Sequence, residues 1–175
     1  MWNKHEWLPS IVLTSKAMGS LPEKLGNQDT IDWVPIDLAA RSVVEIAQTR
    51  TGLVWEGKGP ATSVSHVVNP STVSWSSLVP PIKQSLEKQT GVPERTVSYK
   101  EWIDELSATP RTAEAAEEKP GIKLLDFYEG LASEAGALPR LETRETGKLS
   151  QAIATMGAID EGLMTKWIEQ WSDSE

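Results

Sequence analysis

The stretch Asp32-Trp33-Val34-Pro35-Ile36-Asp37-Leu38-Ala39 decides how this chain reads. Ile31 to Val34 alternates apolar and polar side chains like a half-buried strand, and Pro35, which has no N–H, blocks continuation of a ladder. Asp37 can then cap a helix by accepting backbone N–H bonds. Ala40, Val43, Val44 and Ala47 follow as one apolar stripe at helical spacing, and Thr51-Gly52 supplies an end. Downstream, Ser65-His66-Val67-Val68 reads as a second short strand, stopped by Asn69-Pro70. A third, Thr96-Val97-Ser98, leads into Ser98-Tyr99-Lys100-Glu101, a Ser-x-x-Glu capping box that starts a helix through Trp102, Ile103 and Leu106. Strands this short and this few cannot make a doubly wound sheet. Their edges stay open unless a missing half, a partner chain or the chain's own helices cover them.

Around these strands the spacing predicts helices. Trp7, Leu8, Ile11, Val12 and Met18 give a short amphipathic helix with Gly19 as its left-handed stop. Trp75 to Lys88 reads as a helix whose regular part follows Pro80-Pro81, with Ile82 and Leu86 on one face and Gly91 closing it. Ala108 to Lys119 is charged, small and without an apolar period, which predicts a flexible linker. Beyond it, Ile122, Leu125, Tyr128 and Leu131 share a helical face, with Phe127 beside them and Pro120-Gly121 at the start. Ser150 can cap a segment holding Ile153 and Met156, and Leu163, Met164, Trp167, Ile168 and Trp171 form a last stripe. The expected fold is α+β, mostly helical with a small sheet. Its parts are a substrate-binding portion over 1–107, the linker over 108–119 and a helical segment over 120–175.

Composition narrows the function classes. The 175 residues suit a single core, and 17 Lys and Arg against 25 Asp and Glu give a net charge of -8. That balance disfavours nucleic acid and anionic lipid as partners. Cysteine is absent, so disulfides, thiolate zinc sites and cysteine nucleophiles are excluded, and a cytoplasmic location is the expectation. No apolar run approaches the roughly 20 residues of a membrane span, and Met1-Trp2-Asn3-Lys4-His5-Glu6 does not read as a secretory signal. This start reads as a cut through a longer protein. Eight Trp against two Tyr and one Phe is lopsided usage, serving either core or contact surface.

The search for chemistry is mostly negative. The imidazoles are His5 and His66, no Gly-x-Ser-x-Gly turn presents a nucleophile, and His66 among valines reads as a structural, hydrogen-bonded ring. No His-x-x-x-His or carboxylate cluster has metal-ligand spacing. The carboxylate pairs Asp32 with Asp37, Asp104 with Glu105 and Glu117 with Glu118 read as caps or solvated faces. Gly57-Lys58-Gly59-Pro60 is not a phosphate loop, because Pro60 follows where a helix N-terminus is needed. No Gly-x-Gly-x-x-Gly follows a strand, and neither Tyr99 nor Tyr128 has a lysine four residues on.

Several segments together carry a family likeness. Trp2-Asn3-Lys4-His5-Glu6-Trp7-Leu8-Pro9, the helix to Gly19-Ser20-Leu21-Pro22, Asp32-Trp33-Val34-Pro35-Ile36-Asp37, His66-Val67-Val68-Asn69-Pro70 and Tyr99-Lys100-Glu101-Trp102-Ile103-Asp104-Glu105-Leu106 resemble the C-terminal part of thioester reductase domains. Met164-Thr165-Lys166-Trp167-Ile168-Glu169-Gln170-Trp171 is similar to fungal versions. Such domains are extended members of the short-chain dehydrogenase/reductase superfamily. They end fungal nonribosomal-peptide-synthetase-like and polyketide synthases and carboxylic acid reductases.

The resemblance implies that an intact domain uses NADPH to reduce an acyl thioester, held on a carrier protein's phosphopantetheine arm, to an aldehyde or an alcohol. The family's nucleotide fingerprint and its Ser/Thr, Tyr and Lys catalytic set lie upstream of the matched region, so none of those residues maps here. The expectation is a substrate- and carrier-binding portion, inactive alone, with no catalytic, cofactor or metal residues of its own. Trp2, Trp7, Leu8 and Trp33 are its candidate pocket or rim residues. The implied partners are the carrier protein, its acyl thioester and the missing nucleotide-binding half. A stand-alone interaction module docking a carrier or synthase partner is the main alternative, and a minimal enzyme of unrecognised chemistry is a third.

Overall fold

The computed structural model describes residues 3, 5–60, 62–92, 94–132 and 139–172. In chain order the elements are α1 (Trp7–Met18), β1 (Ser20–Pro22), β2 (Thr30–Ile31), α2 (Ile36–Trp55), β3 (Val73–Ser74), α3 (Trp75–Thr90), β4 (Arg95–Val97), α4 (Tyr99–Ser107), α5 (Ala113–Glu118), α6 (Leu125–Ala132), α7 (Arg144–Leu149), α8 (Gln151–Ala154) and α9 (Glu161–Ser172). Tight 3-10 turns lie at Gly26–Gln28 and Pro120–Leu124. The fold is α+β, mostly helical with two-stranded sheets, as the sequence predicts. Two compact units share the chain: the first holds 1–29, 74–138 and 160–175, the second 30–73 and 139–159. This interleaved division runs along different lines from the expected bounds at 107 and 119.

In the first unit α1 stops where Gly19 takes φ 67, a left-handed conformation that costs other residues strain, and its N–H closes on the Ser15 carbonyl. The chain then enters β1, which runs parallel to β4 with Ser20 opposite Arg95 and Pro22 opposite Val97. A proline is tolerable in so short a ladder because it removes one donor at the strand end. Helix α3 packs on α9, α4 on α6, and α1 on the Pro120–Leu124 turn. Trp75, Trp102, Tyr128 and Trp171 are buried among Ile11, Leu21, Ile82 and Leu86. Buried rings of this kind need partners for their polar atoms. Trp102 Nε1 donates to Ser15 Oγ at 3.0 Å, and Trp75 Nε1 to the Pro22 carbonyl at 2.8 Å. Trp102 also stands edge-on to Tyr128, with centroids 5.2 Å apart.

The second unit is organised by α2 with α7 and α8. Asn69 is buried and ties its loops together, donating from Nδ2 to the Trp33 carbonyl at 3.2 Å and the Gly157 carbonyl at 2.9 Å, while its Oδ1 accepts from the Ser71 N–H. Ser150 caps α8 by accepting from the Ile153 N–H, as the sequence predicts.

Elsewhere the structure differs from the sequence reading in instructive ways. The strand expected over Ile31 to Val34 is only Thr30–Ile31, and α2 starts after Pro35 without a side-chain cap, Asp37 lying in its first turn. There its charge still meets the positive end of the helix dipole. The helix runs past Gly52 to Trp55, since a single glycine costs only about 1 kcal/mol in a helix interior. Ser65 to Val68 is not a strand, and the His66 N–H instead donates to Thr146 Oγ1 at 3.0 Å. Helix α3 is continuous through Pro80 and Pro81 and capped by Ser74. Within the expected linker, Thr112 accepts from the Ala115 N–H and starts α5, a capping signal that a composition argument overlooks.

Candidate functional site

The four residues expected at a pocket or rim fall in different settings. Trp2 lies outside the described residues. Trp7 begins α1 half-exposed, its carbonyl accepting from the Tyr128 hydroxyl at 2.7 Å and its ring 6.1 Å from Phe127, which is 43% exposed. Leu8, its neighbour on α1, is buried in the core of the first unit. Trp33 is half-buried in the second unit, on the loop before α2. Phe127 is the aromatic neighbour of Trp7 that sequence spacing leaves off the helical face of Ile122, Leu125, Tyr128 and Leu131.

The tyrosines are structural. Tyr99 donates to the Tyr128 carbonyl at 3.0 Å, and burial pushes both phenols well above the usual range, so neither ionises at neutral pH. His66 Nδ1 lies 3.0 Å from the Glu142 carbonyl, the hydrogen-bonded setting of a structural ring. Among the described residues no cluster of His, Asp and Glu could hold a metal ion, and no helix is long and apolar enough to cross a membrane.

The strongest functional feature is α2, which has apolar residues on both sides. Its inward side mixes the partly buried Leu38, Ile46 and Leu53 with polar groups: Ser42 is fully buried, Glu45 Oε2 accepts from Ser150 Oγ at 2.8 Å and the Ala152 N–H at 2.9 Å, and Thr49 Oγ1 donates to the Leu149 carbonyl at 3.0 Å. The Ala152 N–H, followed by Arg41 and Ser150, draws the Glu45 carboxyl down to about 2. At 3.6 residues per turn the opposite side carries the predicted stripe of Ala40, Val43, Val44 and Ala47, extended by Ile36, Val54 and Trp55. Every one of these is exposed, Ile36 at 80% and Trp55 at 86%. The stripe is legible in the sequence; its outward direction is not, because the polar counter-stripe Ser42, Glu45 and Thr49 looks like an ordinary solvent face.

No protein-family profile matches the chain. It is 34% identical to carboxylic acid reductase of Neurospora crassa over 175 residues, covering 98% of this chain and 16% of that protein. It is 29% identical to the non-reducing polyketide synthase SAT8 of Stachybotrys chartarum over 176 residues, covering 99% of this chain and 6% of the relative. Against the adenylate-forming reductase Nps9 of Serpula lacrymans the identity is 22% over 188 residues, covering 97% and 16%. The chain thus spans about a sixth or less of the curated relatives it matches. Similarity to fungal carboxylic acid reductases, nonribosomal-peptide-synthetase-like proteins and polyketide synthases over nearly the whole chain is consistent with a C-terminal reductase domain of such synthases.

Proposed function

We propose that this chain is the substrate- and carrier-binding portion of an NADPH-dependent thioester reductase, which releases carrier-bound acyl or peptidyl thioesters as aldehydes or alcohols. The observation that carries this reading is the outward apolar face of α2. A helix that leaves Ile36, Val43, Val44, Val54 and Trp55 in water gains nothing from that exposed side until something covers it. The nucleotide-binding half of the same domain is the occupant that the likeness to reductases suggests. Among the described residues, the glycines with positive φ, Gly19, Gly26, Gly57 and Gly91, close helices or turns, and none stands between a strand and an α-helix where backbone amides would cradle a pyrophosphate. In this reading the redox step takes place in the other half, and Trp2, Trp7 and Trp33 remain the candidates for the acyl side, Leu8 being taken up by the core of the first unit.

The test replaces the matching segment of the Neurospora crassa relative with this chain and follows NADPH oxidation on an acyl-loaded carrier protein. Retained turnover that is lost when the segment is deleted supports the proposal. Turnover indifferent to the deletion overturns it. The same exposed face also suits a second reading, an interaction module that docks a carrier or synthase partner with no acyl group bound. Equal affinity for loaded and unloaded carrier would favour that alternative.

A further inference from the structure

Apart from the α2 face, the first unit contains a cleft of about 550 Å³ beside α1. Leu13, Ala17, Pro120 and the edge of Trp171 give it an apolar floor. Lys16 and Lys123 line it with one sign of charge, Glu117 and Glu118 with the other, and His5 also borders it. Lys16 Nζ donates to Gln89 Oε1 at 2.9 Å, a neutral acceptor shared with Ser172 Oγ. Among the described residues no ion pair joins either lysine to either glutamate. Opposite charges therefore stand in one apolar-floored cleft without a direct ion pair between them among the described residues.

That arrangement selects against a simple ion, since an organic anion meets the glutamates and an organic cation meets the lysines. A dipolar molecule gains from both pairs and fills the floor with its side chains. We propose that the cleft binds a short apolar peptide with free ends, its carboxylate toward Lys123 and Lys16 and its ammonium toward Glu117 and Glu118. The four charges are at least partly solvent-facing, so each contact contributes modestly and the apolar floor supplies the rest.

The test is an NMR titration of the full chain, following the Ala17 and Ala116 amides and the Trp171 indole, with leucyl-leucine, its N-acetylated form and its C-amidated form. The free-ended dipeptide is expected to bind about two- to fivefold more tightly than either blocked form, the size of exposed charge pairs. Lys123→Gln should weaken the free and N-acetylated forms and leave the amidated form unchanged. Glu117→Gln with Glu118→Gln should do the reverse, and none of these exposed side chains has a hydrogen bond among the described residues whose loss would disturb folding. Equal affinity for all three peptides, or no shift at these probes, overturns the proposal.

Discussion

Both units bury apolar residues, but only one of them also leaves a long apolar helix face in water. The first closes Trp75, Trp102, Tyr128 and Trp171 into a core and gives the indole N–H groups of Trp75 and Trp102 and the Tyr128 hydroxyl protein acceptors. The second buries Ile31, Ile153, Met156 and Ile159 beside Ser42 and Asn69, yet turns Val43, Val44 and Trp55 outward along α2. A core of the first kind explains its own stability, because burying each large side chain contributes roughly 1.5–3 kcal/mol. A face of the second kind contributes nothing while it is wet. The contrast separates what holds this chain together from the face that the proposed function assigns to a partner.

Breaking the first side of that contrast has the largest expected effect. Trp102→Ala removes a fully buried ring together with its bond to Ser15, and should cost about 3–5 kcal/mol, seen as a lower urea midpoint for the first unit. A loss below about 1 kcal/mol would mean that this ring does not organise the core. Next comes Glu94, which is buried with Oε2 lacking a hydrogen-bond partner among the described residues. Desolvation, reinforced by Glu87, raises its carboxyl to about 7, while Lys83 opposes the shift. Because the folded value lies above the unfolded one, the penalty is absent below about pH 4.5 and complete once the pH passes 7. Glu94→Gln should therefore stabilise by about 1–3 kcal/mol at pH 8 and leave stability unchanged at pH 4. Equal effects at both pH values would refute the assignment.

The second unit shows the opposite sign. Glu45 is drawn below the usual carboxylate range, so its contribution is present above about pH 4.5 and fades as the pH falls toward 2. In Glu45→Gln, the acid loss of α2 helicity, followed by circular dichroism, should be shallower than in the parent chain. The smallest effect belongs to the outward face. Val43→Asp with Val44→Asp should move the stability of the isolated chain by no more than about 0.5 kcal/mol, since both side chains are already in water.

Where the sequence is legible, local chemistry is strong and points one way. Gly19 at the end of α1, Ser98 before α4, Ser150 before α8 and the stripe through α9 all stand where their side chains and spacing put them. The misreadings share a cause. A two-residue strand such as β2 depends on its pairing with β3, which period alone does not reveal, and Ser65 to Val68 has strand composition but no strand partner among the described residues. Ala113 to Glu118 looks too polar to order itself, yet a single threonine cap and the neighbouring Pro120–Leu124 turn are enough. The candidate site divides the same way. Trp7 was visible as a large ring near the start, whereas Phe127 beside it depends on tertiary packing, and the direction of the α2 stripe depends on which side finds hydrogen-bond partners.

The most direct measurement is the affinity of this chain for the nucleotide-binding half of a thioester reductase, by titration calorimetry, with and without Val43→Asp and Val44→Asp. If α2 is the covered face, two valines that should be desolvated at the contact become charged, and the affinity falls at least about a hundredfold. Unchanged affinity, with the isolated chain still folded, would contradict the account.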